Sequence, residues 1–312
     1  MIGIGKRIRK TFLQFLSGIP ARDYIFSQVS YEEQIKRVAT ILNEADYILI
    51  GAGAGLSAAA GLKYSGKRFT DNFADFIEKY GVQDMYSACF YPYPTEEARW
   101  GYWSNHVFIN RIQPGALPLY KQLYELVKDK KYFVLTTNAD HQFYKAGFGE
   151  EHIFATQGDY GLIQCMHGCH PKTYDDIEMI NQMNQARKDC TIPSYMVPRC
   201  PVCGGPMNMN LRCDQYFVED EKWHEAERNF GDFLYECQYK KVVLLELGVG
   251  FNTPTIIRFP FEKLIRENKN MKLIRLNFNE AFVPESLQER AIGINEDIVK
   301  SIHDISKALT DM

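Results

Sequence analysis

Four short apolar runs punctuate the chain: Tyr47–Ile50, Tyr132–Leu135, Val242–Leu247 and Leu273–Leu276. None alternates with polar residues. Continuous runs of β-forming residues predict strands buried on both faces, as in a parallel sheet. Between them, apolar positions return at helical spacing over Tyr31–Leu42 and Leu117–Lys128. Strands alternating with helices predict an α/β fold built on a doubly wound, Rossmann-like parallel sheet. His152–Thr156 adds a further candidate strand.

Two stretches break this rhythm. Residues 64–116 are aromatic-rich (FYPYP, RWGYW) and look helical with turns, and residues 159–215 carry paired cysteines and many polar residues. The expected division is a discontinuous sheet domain from 30–63, 131–158 and 216–312, with a smaller module from 64–130 and 159–215. Residues 1–29 form an N-terminal helical extension. There Lys6, Arg7, Arg9, Lys10 and Arg22 precede the first acid, Asp23, while Ile4, Ile8, Phe12, Phe15 and Leu16 recur at helical spacing. Such a helix packs on the domain surface or touches a membrane or partner.

Composition narrows the class. The chain has 312 residues, 46% hydrophobic and 24% charged, with a net charge of −3. No clustered basic face argues for nucleic acid. No stretch reaches the roughly 20 apolar residues that span a bilayer. Eight cysteines, unevenly spaced and without a secretion signal, favour a metal site in a reducing, cytoplasmic setting over a disulfide scaffold.

Gly51-Ala52-Gly53-Ala54-Gly55-Leu56-Ser57 directly follows the first strand, and small residues Ala58 to Gly61 come next. Glycines after a strand let the backbone turn tightly against a pyrophosphate. No register spells G-x-G-x-x-G, and the acid expected about 20 residues on is missing; Glu78 falls near that distance but in a helical pattern. A P-loop is also excluded, because Gly66-Lys67 is followed by Arg68. A ligand-free tight turn remains the alternative.

Cys165-x3-Cys169 and Cys200-x2-Cys203 are separated by 30 residues. Two such thiolate pairs can close a tetrahedron around a structural zinc. His167 and His170 are close enough to replace Cys165 or Cys169. Cys89, Cys190, Cys213 and Cys237 are expected as small apolar residues in or near the core. The second strand runs into Thr137-Asn138-Ala139-Asp140, and the candidate strand after it into Gln157-Gly158-Asp159. Polar residues at the carboxyl ends of buried strands face the crevice where ligands bind; singly, each is equally an ordinary turn or helix cap.

Together these pieces resemble the sirtuin family. Gly53-Ala54-Gly55-Leu56-Ser57-x-x-Ala60-Gly61 is similar to its GAG-x-S-x-x-S-G loop, and Thr137-Asn138-Ala139-Asp140 to its Q-N-x-D. Gln157-Gly158 stands where the family has His-Gly, and Leu211-Arg212 resembles its L-R-P. Gly248-Val249-Gly250 resembles its G-T-S, and Asn277 ends the strand that supplies an adenosine contact. The motifs run in order from about residue 30 to 300. The chain departs where Lys63-Tyr64-Ser65-Gly66 replaces Pro-Asp-Phe-Arg, where Thr137 replaces Gln, and where Gln157 replaces the catalytic His. An amide cannot take a proton near neutrality.

These departures, with Asp84 to Ala88 and Phe90-Tyr91-Pro92, resemble the macrodomain-linked microbial branch (class M). That resemblance implies NAD-dependent mono-ADP-ribosylation of a lipoylated carrier resembling the glycine-cleavage H protein, reversed by a macrodomain hydrolase. The expected catalytic residues are Asn138, Asp140 and Gln157: Asn138 holds the ribose or a water, Asp140 orients the nicotinamide end or the loop around it, and Gln157 positions ribose hydroxyls. Gly53, Ala54, Gly55, Ser57 and Gly61 would meet the phosphates, and Gly248, Val249, Gly250 and Asn277 the adenosine half. Deacylation and NAD sensing without turnover are the alternatives.

Overall fold

The computed structural model describes residues 19–251 and 254–312. The basic amphipathic pattern expected over residues 4–16 lies outside them. Arg22 and Asp23 fall in the short turn Ala21–Asp23.

The strands in chain order are β1 (Tyr24–Ile25), β2 (Tyr47–Ala52), β3 (Lys131–Thr136), β4 (Ile153–Ala155), β5 (Gly158–Cys165), β6 (Thr173–Asp175), β7 (Met207–Leu211), β8 (Val242–Leu247), β9 (Met271–Leu276), β10 (Val283–Pro284) and β11 (Ala291–Ile294). Six of them form one parallel sheet in the order β11-β9-β8-β2-β3-β4. The apolar runs become its centre, and every residue of β2 and β8 is buried.

Helices cover both faces. Tyr31–Glu44 starts at Ser30, whose hydroxyl accepts from the Glu33 amide at 3.3 Å, the cap that a Ser three residues before Glu predicts. From its buried stripe, Ile35, Val38 and Leu42 share a core cluster with helices Pro118–Val127 and Ile298–Thr310. Glu221–Cys237 and Arg258–Glu267 close the other face through Phe233, Phe261 and Ile265.

A third core cluster joins Phe69, Phe73, Trp100, Tyr102 and Trp103 to Ile163, Met207 and Met209. Its frame is the antiparallel sheet β6-β5-β7 with five helices, Lys67–Asn72, Ala74–Tyr80, Met85–Cys89, Glu96–Val107 and Ile177–Ala186. Glu96–Val107 runs on into a π-helical turn, Phe108–Ile112, which carries Arg111. Cys190 and Cys237 are buried and Cys89 is half-buried, but Cys213 is exposed. It follows β7 in a turn that leaves the core, which corrects the expectation for that thiol.

Charge is buried in the main sheet. The Arg275 guanidinium donates to both oxygens of Glu246, at 2.7 and 2.8 Å, and to Glu262 at 3.0 Å. Tyr24 donates to the other oxygen of Glu262 at 2.7 Å. Removing one partner leaves an uncompensated buried charge, which costs more than the pair itself contributes. Glu246→Ala is therefore expected to lose about 3 kcal/mol of stability, read from urea unfolding. A loss below about 1 kcal/mol would contradict this account of the network.

Candidate active site

Strand order reverses between β2 and β8, the place where open α/β sheets bind ligands at their carboxyl ends. Two glycine loops meet there. The Gly53 amide donates to Leu247 O and the Gly55 amide to Gly248 O, each at 3.0 Å. Gly248 has φ 61, and a Cβ on it would lie 2.2 Å from the Leu56 amide nitrogen. The loops touch backbone to backbone at the carboxyl end of the sheet. That surface fits a dinucleotide pyrophosphate, with Ala54 exposed at its lip.

A polar chain crosses from this loop to the end of β3. The Ser57 hydroxyl, buried, donates to Asp140 Oδ2 and lies 3.0 Å from the Tyr120 hydroxyl. Asp140 Oδ1 accepts from the Gln142 amide at 3.1 Å. Burial pushes the Asp140 carboxyl above its ordinary value, although the Ser57 and Gln142 bonds hold part of that back. Asn138 Nδ2 donates to Gly53 O at 3.0 Å. Nothing in the spacing of the chain announces Tyr120 as a partner of Ser57.

On the other side of the crevice, Asn277 Nδ2 donates to Val249 O at 3.0 Å, and Arg258 donates to the same carbonyl at 3.1 Å. Gly250 beside them is half-buried. Gly61 stands apart, exposed at the end of the helix Ala54–Ala59 with φ 106. Gln157 follows β4, half-buried, and its carbonyl accepts from the Arg212 amide at 3.0 Å. Gly158 next to it has φ 94 and no space for a side chain, since a Cβ would meet Asn210 O at 1.9 Å.

The four cysteines of the two pairs come together. Their sulfurs all lie within 4.8 Å of one another, with Cys165–Cys203 at 3.7 Å and Cys169–Cys200 at 3.6 Å. Zinc–sulfur bonds of about 2.3 Å put the corners of a tetrahedron about 3.8 Å apart, so the quartet fits zinc. Cys165 ends β5, and the knuckle from Cys200 to Gly205 is closed by Gly204 at φ 70 and by the Cys200 amide on Gly205 O at 2.8 Å. His170 Nδ1 lies 3.1 Å from Cys169 Sγ, beside the quartet.

No protein-family model matches the chain. Solved sirtuin structures share its fold: a Sir2 homolog–NAD complex superposes with TM-score 0.58 at 15% identity, over 93% of this chain and 99% of that one. Sir2Tm bound to a propionylated peptide gives TM-score 0.56 at 18% identity, over 88% and 97%. The fold is therefore of the sirtuin type, with a four-cysteine module. A curated protein ADP-ribosyltransferase of Staphylococcus aureus (strain Mu50) is 40% identical over 267 residues, 85% of each chain. A "Probable bifunctional ADP-ribose hydrolase/ADP-ribosyltransferase" of Fusarium oxysporum f. sp. cubense is 34% identical over 280 residues, 84% of this chain and 46% of that protein. The chain belongs to the protein ADP-ribosyltransferase family of the Staphylococcus relative, has the sirtuin fold, and is an NAD-dependent enzyme of that class.

A structural zinc would hold the module by ligands far apart in the chain. One zinc per chain is expected by elemental analysis. Cys200→Ser should lose it and unfold the module at lower temperature. Full metal content in that variant would contradict the assignment.

Proposed function

We propose that this enzyme transfers a single ADP-ribose from NAD to a lipoylated carrier protein of the glycine-cleavage H type. The observation that carries this reading is Gln157. It follows β4, the neighbour of the strand β3 that leads into Asn138 and Asp140, it takes the position where the resemblance puts the base of a deacylating sirtuin, and its amide cannot accept a proton. It can still hold ribose hydroxyls. Cleavage of the nicotinamide–ribose bond develops oxocarbenium character, and that step needs positioning more than a base at Gln157.

In this reading Asn138 holds the ribose or a water from its anchor on Gly53. Asp140, tied to Ser57, keeps the loop at the nicotinamide end in place. Gly53 and Gly55, whose amides are already bonded to Leu247 O and Gly248 O, let the main chain pass close to the pyrophosphate at Ala54, with Ser57 beneath it and Gly61 at the end of the helix that follows. Gly248, Val249, Gly250 and Asn277 receive the adenosine half. The hydrolase coupled to a transferase in the name of the Fusarium relative supports a macrodomain hydrolase as the functional partner that removes the mark. Among the described residues no helix is long and apolar enough to cross a membrane. None of the eight cysteines is in a disulfide, and with four of them gathered as a metal quartet we place the enzyme in the reducing cytoplasm.

Intact-mass measurement of lipoylated and unlipoylated carrier after incubation with NAD tests the proposal. One added ADP-ribose on the lipoylated form alone is expected, with Asn138→Ala slowing it about 100-fold. Faster formation of O-acyl-ADP-ribose from an acylated peptide would overturn it in favour of deacylation.

A further inference from the structure

Gln157 leaves the reaction without a titratable group at its own position, yet the acceptor must shed a proton. The loop that carries Asn138 and Asp140 ends at His141. The Ala139 carbonyl on this loop accepts from the Tyr160 amide at 3.0 Å, which seams it to the start of β5, three residues beyond Gln157. His141 Nδ1 lies 2.6 Å from Asp159 Oδ2. The other oxygen of Asp159 accepts from Arg111 Nε at 2.9 Å and from the Gly161 amide at 2.7 Å.

Burial would push the Asp159 carboxyl up, but the hydrogen bonds from His141 and Arg111 and the Arg111 charge outweigh it and hold it low. An ionised carboxylate only accepts, so the imidazole hydrogen sits on Nδ1 and the lone pair on Nε2. The ring stacks on Tyr144 with centroids 4.1 Å apart and planes 16° off parallel. Its side chain is 28% exposed, so one edge reaches solvent, and Nε2 has no partner among the described residues. His141 also has φ 63, a conformation that glycine adopts more easily. A nucleophile-activating base is recognised by this pattern, a histidine oriented by a third group.

We propose that His141 Nε2 is the proton acceptor of ADP-ribosyl transfer, with Asp159 and Arg111 as the residues that position it. The proposal rests on NAD being the donor, and it is independent of which carrier receives the group. As the ribose C1′–nicotinamide bond breaks, its electron pair leaves on the nicotinamide nitrogen. A lone pair of the acceptor forms the new bond to C1′, and the acceptor's proton passes to Nε2. The imidazolium is paired with Asp159 and returns the proton to solvent through its exposed edge. NAD and the protonated acceptor thus give ADP-ribosyl acceptor, nicotinamide and one proton.

The charged groups around the ring come from each neighbouring element. Asp159 lies on β5, Arg111 on the π-helical turn, and Asp140 and Lys145 on the flanking loop and helix. The Asp176 carboxyl, buried at the head of Ile177–Ala186 with no hydrogen-bond partner for either oxygen among the described residues, is pushed up to about 8 by burial and by nearby Asp159 and Asp175.

The test follows nicotinamide release from NAD by the full chain, with water as acceptor, so the identity of the carrier does not enter. Wild type that releases none, with water or carrier, would refute NAD as donor and this proposal with it. His141→Gly suits the backbone at that position and should fold. It is expected to lose at least about 100-fold in kcat, to keep its KM for NAD, and to lose the acid limb of the pH–rate profile. Added imidazole should restore at least about tenfold of the rate. Asp159→Asn should move the acid limb, and Asp176→Asn should leave it in place. A His141→Gly enzyme within about threefold of wild type, or one whose loss imidazole does not restore, would overturn the proposal.

Discussion

The contact on which the site depends is the approach of Gly248 to the Gly53–Gly55 loop. Two main chains from neighbouring strands touch at the point where strand order reverses, with hydrogen bonds of 3.0 Å and no room for a Cβ on Gly248. Side chains there would part the loops and lift the crevice off the sheet. Because the contact is backbone on backbone, its geometry does not depend on rotamers. The bonds from Asn138 to Gly53 and from Asn277 to Val249 then extend the same rigid frame to both ends of the crevice. Preorganised polar groups of this kind cost no reorganisation when charge develops on the ribose.

The second constraint is the seam between the sheet and the cysteine-bearing part of the chain. Tyr160 bonds to Ala139, and Arg212 bonds to Gln157. Asp159 also gathers His141 and Arg111. Zinc at the far end of β5 would fix the strand that carries Asp159 and follows Gln157. A metal with no part in the chemistry can thus decide where the reacting groups stand.

Much of the main sheet was legible because its strands are buried on both faces and read as unbroken apolar runs. β5 was not. Its residues mix Gly, Asp, Tyr and Gln, and its partners, β6 and β7, are short and lie elsewhere in the chain. β11 escaped notice as four residues interrupted by Gly293. The cysteine quartet could be read from spacing, since each thiolate pair must be close in sequence to share one metal. The set of Arg111, His141 and Asp159 could not, because it comes from a helical turn, a loop and a strand with no common register. Cys213 was misread for a related reason. A thiol is small enough to sit in a core, and nothing local says that the turn after β7 turns outward.

We propose that the glycine contact at the switch point builds the NAD site. Gly53→Ala tests it most directly, because Gly53 has extended backbone that alanine accepts, while its Cβ would come within 2.9 Å of Gly248 O and 3.0 Å of Val249 Cα. Calorimetric titration with NAD should show affinity at least about fivefold weaker, with the thermal unfolding transition retained. Unchanged NAD affinity in a folded Gly53→Ala chain would contradict the account.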